Sequence, residues 1–152
     1  MDRILVPVTS HAGWARDVAD AVIRTEAGTP TEAIVAHVFE DGEAETARSN
    51  LEVPADDHLS LDELAARKQG VSATIDVFDD AEISIKTQVR GLHAEKNTAN
   101  AIIRAAAAES IDRIYLYARN RSPTGKAVFG STIQRVVLNA TCPVVVYPFG
   151  AR

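Results

Sequence analysis

The sequence contains one cysteine, Cys142, among 152 residues. A single cysteine excludes an intrachain disulfide, but a chain of this length buries roughly two-thirds of its unfolded surface and needs none. No apolar run approaches the about 20 residues of a membrane-spanning helix, and the N-terminus lacks the layout of a signal peptide. We therefore expect a single cytoplasmic domain over residues 1–152, without a membrane segment.

The sequence also lacks an excess of positive charge. Its 16 Lys and Arg residues against 21 Asp and Glu residues give a net charge of −5, which argues against general electrostatic binding to nucleic acid or to an anionic membrane. Seven of the acidic residues lie between Glu40 and Ser60, where Arg48 is the only arginine or lysine. Repelling charge without apolar periodicity predicts that residues 40–60 form an acidic surface connection.

Familiar catalytic motifs are absent. There is no G-x-S-x-G elbow, no H-E-x-x-H pair and no C-x-x-C pair, and the four histidines have no metal-ligand spacing. Gly125-Lys126 does not complete a P-loop, because Asn120 and Ala127 stand where that motif needs Gly and Ser or Thr. Cys142 precedes Pro143 at the start of an apolar strand and is expected to be buried and inert. These observations favour a protein without catalysis or a resident metal.

Hydrophobic patterning predicts strands that alternate with helices. Thr9 or Ser10 can cap the first helix, and a Ser60–Glu63 capping box starts one helix that runs to about Asp79. Helix 131–139 is expected to face inward through Ile133, Val136 and Val137. The order predicts an α/β domain with a parallel sheet and helices on both faces. The predicted strands are Arg3–Val8, Ala33–Phe39, Ile83–Val89, Arg113–Ala118 and Pro143–Pro148.

The segment from Tyr117 to Thr132 joins the fourth predicted strand to the last helix. It carries Arg119, Arg121 and Lys126, and it ends in Gly130-Ser131-Thr132. Free N–H groups at a helix start, with cations nearby, can bind an anion. The alternative is that Ser131 and Gln134 form a capping box that only starts the helix, and that the three bases are ordinary loop charges.

Four pieces in this order resemble the universal stress protein family over essentially the whole chain. They are the strand Ile4–Val8, the pair His37-Val38, the helix start Gly130-Ser131, and the final strand from Cys142 to Val146. The resemblance implies an open five-stranded sheet of order 3-2-1-4-5, the architecture shared with adenine nucleotide alpha-hydrolases. It also implies a homodimer through the last strand, whose apolar edge needs a cover, at Val144, Val145, Val146 and Tyr147.

In a sheet of this order, ligands bind where the strand order reverses. The glycines of the family's nucleotide-binding pattern fall on Tyr117 and Asn120, and its aspartate after the first strand falls on Thr9. We therefore expect weak or absent ATP binding. The resemblance and the local chemistry together place a nucleotide- or anion-binding site at Pro7, Val8, Thr9, Val38, Tyr117, Arg119, Asn120, Lys126, Gly130, Ser131 and Thr132.

The function expected from these features is a non-catalytic, dimeric binding or regulatory module in a stress response, with a small anionic ligand and an unidentified protein partner. One alternative is a switch that binds ATP or AMP with Mg²⁺ and hydrolyses ATP slowly. Another is an adenine-nucleotide-dependent transferase on the same scaffold, although no acid and base pair supports it. Fold alone does not decide among the three, because function depends on the site.

Overall fold

The computed structural model describes residues 1–8, 11–51, 59–81, 85–94, 96–118, 120–121, 127–128 and 130–148, and residues 120–121 and 127–128 as backbone only. The strands are β1 (Asp2–Pro7), β2 (Thr31–Phe39), β3 (Ile85–His93), β4 (Arg113–Ala118), β5 (Asn120–Arg121), β6 (Ala127–Val128) and β7 (Val144–Pro148). The helices are α1 (Ala12–Glu26), α2 (Glu43–Asn50), α3 (Leu61–Ala66), α4 (Gln69–Asp80), α5 (Thr98–Ala108) and α6 (Ser131–Asn139).

Five strands form one parallel sheet in the order β3-β2-β1-β4-β7. Counted among themselves, these strands have the order 3-2-1-4-5, so the predicted fold class and topology are confirmed. The order reverses between β1 and β4, and β7 forms one edge of the sheet. The predicted loop after β4 contains the short antiparallel pair β5 and β6.

Alternate residues of each strand fill two hydrophobic cores on opposite faces of the sheet. On one face, Ile4 and Val6 of β1 and Tyr115 of β4 pack with α1 and α4. On the other face, Leu5 of β1 and Leu116 of β4 pack with α5 and α6. Helices on both faces leave the central strands fully buried, which explains their almost continuous apolar sequences.

The single helix predicted from Ser60 to about Asp79 is wrong. The Ser60–Glu63 capping box is present, but α3 ends at Ala66 and α4 begins at Gln69, with Lys68 extended between them. The two helices serve different cores, which one straight helix could not reach. Leu64 of α3 packs in a small cluster around Phe39 of β2, while α4 packs with α1.

A glycine of β3 allows α3 to approach the sheet closely. A Cβ atom at Gly91 would lie 2.2 Å from the carbonyl oxygen of Leu61, a distance that no side chain can accommodate. The backbone N–H of Gly91 also donates to Asp62 Oδ1 at 2.8 Å. The start of α3 is therefore fixed against the carboxyl end of β3.

Two other expectations meet different outcomes. Val136 of α6 is fully buried as predicted, but Val137 is 49% exposed, because its position on the helix turns it away from the α5 core. The acidic segment contains the two-turn helix α2, whose Ala44 is buried; residues 52–58 lie outside the described residues.

Within the ranges given above, no helix combines the length and the apolar character needed to span a bilayer.

Candidate functional site

The candidate site lies at the carboxyl edge of the sheet, where β1 and β4 end side by side. Pro7 ends β1, and the N–H of Val8 extends the ladder by donating to the carbonyl of Ala36 at 2.8 Å. Val38, near the end of β2, packs against the α5 and α6 core. The helix after β1 lies on one face of the sheet, and the helix after β4 lies on the other. Because these two helices lie on opposite faces, a crevice opens between the ends of β1 and β4, where the strand order reverses.

The start of α6 presents backbone donors at this edge. Gly130 is the N-cap residue and is exposed, with nothing within 4 Å of the place where a Cβ atom would be. The first helical bond runs from the N–H of Gln134 to the carbonyl of Gly130 at 3.1 Å. Gly130 has no side chain that could cap the backbone N–H groups between it and Gln134. No acidic residue lies in the first turn of α6. Donors and the positive end of the helix dipole therefore remain for an anion.

The alternative, a capping box with Ser131 as the N-cap residue, is not how this helix begins. Ser131 is the first helical residue, one position after the cap. Its exposed hydroxyl and that of the partly exposed Thr132 therefore lie in the first turn, beside the backbone donors. This placement excludes Ser131 as the N-cap residue, and anion binding at Gly130, Ser131 and Thr132 stays a prediction.

Three aromatic rings form a stack that connects the start of α1 to β4. The ring centroids of His11 and Trp14 are 4.1 Å apart, and those of Trp14 and Tyr117 are 5.8 Å apart. His11 caps α1, since its Nδ1 accepts from the N–H of Trp14 at 3.2 Å, so the expected caps Thr9 and Ser10 are replaced. Tyr117 packs with the α1 and α4 core, so its bulk is directed away from the face that carries α6.

A polar cluster that sequence reasoning missed lies beside Val38. His37 is only 7% exposed, and its Nε2 lies 2.5 Å from Oε2 of Glu43 in α2. The ammonium of Lys68 lies 2.9 Å from the same oxygen. Burial alone would raise the pKa of Glu43, but the hydrogen bonds from His37 and Lys68 outweigh burial and hold it below its ordinary value. The cluster attaches α2 to the carboxyl end of β2.

The structure thus brings part of the predicted site together. Pro7, Val8 and the α6 start share the carboxyl edge, with Val38 one strand further along, on β2. The backbone of Asn120 pairs with Val128 in the small hairpin. Thr9, Arg119 and Lys126 lie outside the described residues.

The residues of the candidate site suit an anion better than a metal ion. None of the eleven candidates is acidic, and Mg²⁺ prefers carboxylate oxygens together with phosphates. In the described part of the chain, no group of three His, Cys, Asp or Glu residues could hold a metal ion. Backbone N–H groups and hydroxyls are donors that phosphate oxygens accept from.

Cys142 lies away from this edge, just before β7, and is partly buried. Burial, and then the charge of Asp112, raise the pKa of its thiol. A raised pKa keeps the sulfur protonated and disfavours nucleophilic chemistry.

Comparisons with known proteins agree with this architecture. The model of the universal stress protein family matches residues 1–148. A universal stress protein from Archaeoglobus fulgidus is similar in structure, with 22% identity, a TM-score of 0.67, and coverage of 96% of this chain and 98% of that one. No curated protein is significantly similar in sequence.

Two further similar structures contain nucleotides. One is the Archaeoglobus fulgidus universal stress protein in complex with dAMP, with 18% identity, a TM-score of 0.58, and coverage of 96% and 97% of the two chains. The other is a universal stress protein in complex with cAMP, with 12% identity, a TM-score of 0.56, and coverage of 97% and 96%. At these identities the likeness concerns the fold.

Proposed function

Because the chain belongs to the universal stress protein family, we propose that it is a cytoplasmic, dimeric binding module of a stress response without chemistry of its own. Its ligand is a small phosphate-bearing molecule held between the ends of β1 and β4 and the start of α6. The observation that carries this proposal is the exposed α6 start at Gly130, which has no capping side chain of its own and no acidic residue in its first turn.

A single phosphate fits this site better than a magnesium triphosphate. The N–H groups and hydroxyls at Ser131 and Thr132 suit one phosphate group, and Lys126 adds charge in the same connection. Thr9 stands where family members have an aspartate, so the carboxylate that would hold a metal ion or a ribose is missing. The complexes of similar proteins with dAMP and cAMP support a nucleoside monophosphate as the ligand class.

The second candidate is a switch that binds ATP or AMP and hydrolyses ATP slowly. It is favoured by the nucleotide complexes of similar proteins. It would use the same α6 start but would also need a metal site and a group to activate water. Neither is found among the candidate residues.

Native mass spectrometry of gently purified protein separates the two candidates. The proposal expects a dimer that carries a nucleoside monophosphate at each site, either retained through purification or taken up from added AMP. Retained ATP, or conversion of added Mg-ATP to ADP at a rate that follows protein concentration, would favour the switch. A protein that binds no nucleotide in any form would refute the proposed ligand class.

The dimer is proposed through the edge strand β7. Its five residues are Val144, Val145, Val146, Tyr147 and Pro148, all partly exposed and none charged. A bare apolar edge invites aggregation, and pairing with the same strand of a second copy covers it about a two-fold axis. The neighbouring helix α6 also exposes Val137 and Leu138, by 49% and 80%, which adds apolar surface near this edge.

A further inference from the structure

A second cleft lies on the other face of the sheet, between α1 and α4. It has a volume of about 340 Å³ and is lined chiefly by Ala12, Arg16, Arg67, Gln69, Ser72 and Asp76. Both helices return from the carboxyl edge of the parallel sheet to its amino edge, so they run parallel and both begin at the cleft. The cleft is thus separated by the sheet from the start of α6.

The cleft contains two arginine side chains, those of Arg16 and Arg67. In the ranges that the structure describes, no hydrogen bond or ion pair involves the side chain of Arg16 or Arg67. Asp76 lines the same cleft without pairing with either guanidinium. Elsewhere in the described fold, Arg3, Arg90 and Arg113 are each bound to carboxylates. The cleft therefore holds two exposed guanidinium groups that no carboxylate of the described residues neutralises.

The surroundings of the cleft reinforce its positive character. Neither α1 nor α4 has an acidic residue in its first turn. The N-cap residue of α4 is Lys68, which makes no capping hydrogen bond through its side chain. An ammonium group only donates, so it cannot accept from the first N–H groups of α4. Gln69 and Ser72 add an amide and a hydroxyl to the lining.

We propose that this cleft is a second binding site, for a small molecule that carries a phosphate ester. The guanidinium groups of Arg16 and Arg67 each present a planar fork that matches two phosphate oxygens. Gln69 and Ser72 supply neutral donors for the remaining oxygens. The volume lies at the lower end of the range for ligand pockets, about 300–1,000 Å³, so it suits a ligand of about the size of a sugar phosphate.

The test is an NMR titration of the ¹⁵N-labelled protein with inorganic phosphate at constant ionic strength. We expect saturable shifts of the amides of Gln69, Gly70 and Ser72 and of the side-chain Nε groups of Arg16 and Arg67. The double change Arg16→Gln and Arg67→Gln should weaken this binding at least about tenfold. The matched control is Arg24→Gln, an exposed arginine at the opposite end of α1, which should leave the binding unchanged.

The two proposed sites give separate signals in this experiment. Saturable shifts confined to Ser131 and Thr132 would overturn the cleft proposal and leave the α6 site intact. Shifts at Gln69 and Ser72 that persist in the folded double variant, or shifts that grow linearly with phosphate, would also overturn it. Circular dichroism of each variant establishes that it is folded.

Discussion

The ring of Tyr117 lies against the indole of Trp14, with the ring centroids 5.8 Å apart and the planes 26° from parallel. The resemblance places a glycine of the family's nucleotide-binding pattern at Tyr117, where a large side chain adds bulk beside the crevice. The contact with Trp14 instead turns the ring toward α1, away from the start of α6. Tyr117 therefore contributes to the packing of α1 and is directed away from the start of α6.

Replacing Tyr117 with Gly should destabilise the fold rather than create a better site. Loss of a partly buried aromatic ring is expected to reduce the free energy of unfolding by about 2–4 kcal/mol. Trp14 is the only tryptophan, so its fluorescence during chemical denaturation reports both the stack and global unfolding. Tyr117→Phe is the control and should retain most of the stability. A Tyr117→Gly variant as stable as the wild type would show that the stack contributes nothing.

A buried carboxylate at the C-terminal end of α1 predicts that the free energy of unfolding decreases in acid. Glu26 is 4% exposed and accepts hydrogen bonds from Arg113 and Tyr115 of β4 and from Thr31 of β2. Burial alone would raise the pKa of Glu26, but these hydrogen bonds outweigh burial and hold it below its ordinary value. Ionisation of Glu26 therefore stabilises the fold above about pH 4.3, and the contribution is lost as the pH falls through the folded pKa.

Glu26→Gln should therefore lower the free energy of unfolding near pH 7 by about 2–4 kcal/mol. The difference from the wild type should begin to shrink as the pH falls below about 4.3, where the unfolded chain takes up the proton first. It should be lost once the pH passes the lowered folded pKa of Glu26. Urea denaturation across this pH range measures both effects. Asp20→Asn, an exposed change on the same helix, should stay within about 0.5 kcal/mol of the wild type. A difference that is independent of pH would contradict the ionic role of Glu26.

The contact between Glu43 and His37 predicts that a single side chain, that of Glu43, holds α2 against β2. Glu43→Ala leaves the buried His37 without its partner, at a cost of about 1–3 kcal/mol, and should increase amide exchange across α2. Glu45→Ala removes an exposed acid from the same turn and should change stability by less than about 0.5 kcal/mol. Equal effects of the two changes would show that the His37 contact does not hold the helix.

The proposed dimer can be tested at the backbone of β7. The N–H of Ile114 donates to the carbonyl of Pro143 at 3.0 Å, and bonding alternates along a parallel strand, so the N–H of Val146 points to the outer edge. Proline is tolerated where an edge N–H faces outward. Val146→Pro should therefore yield a folded monomer in sedimentation, while Val146→Thr remains a dimer. A wild-type monomer at tens of micromolar, or a dimeric Val146→Pro, would refute this interface.

Strong local patterns made several elements predictable. Arg113–Ala118 and Ser131–Asn139 have the predicted bounds, since each is an apolar or amphipathic run between clear turn residues. The break at Lys68 was missed because the helical apolar stripe continues through it, and only the separate cores of α3 and α4 require it. The contact of His37 with Glu43 was missed because an acidic segment resembles a solvated loop until α2 folds back onto β2.

The most direct test of the account is calorimetric titration with AMP of the wild type and of Ser131→Glu. Position 131 is exposed in the first turn of α6, where a glutamate favours the helix but repels a phosphate. A phosphate site at the start of α6 predicts that the wild type binds AMP with saturation, that Ser131→Glu binds at least about tenfold more weakly, and that Ser131→Gln stays close to the wild type. Equal AMP affinity in the wild type and Ser131→Glu, or no AMP binding by the wild type, would contradict it.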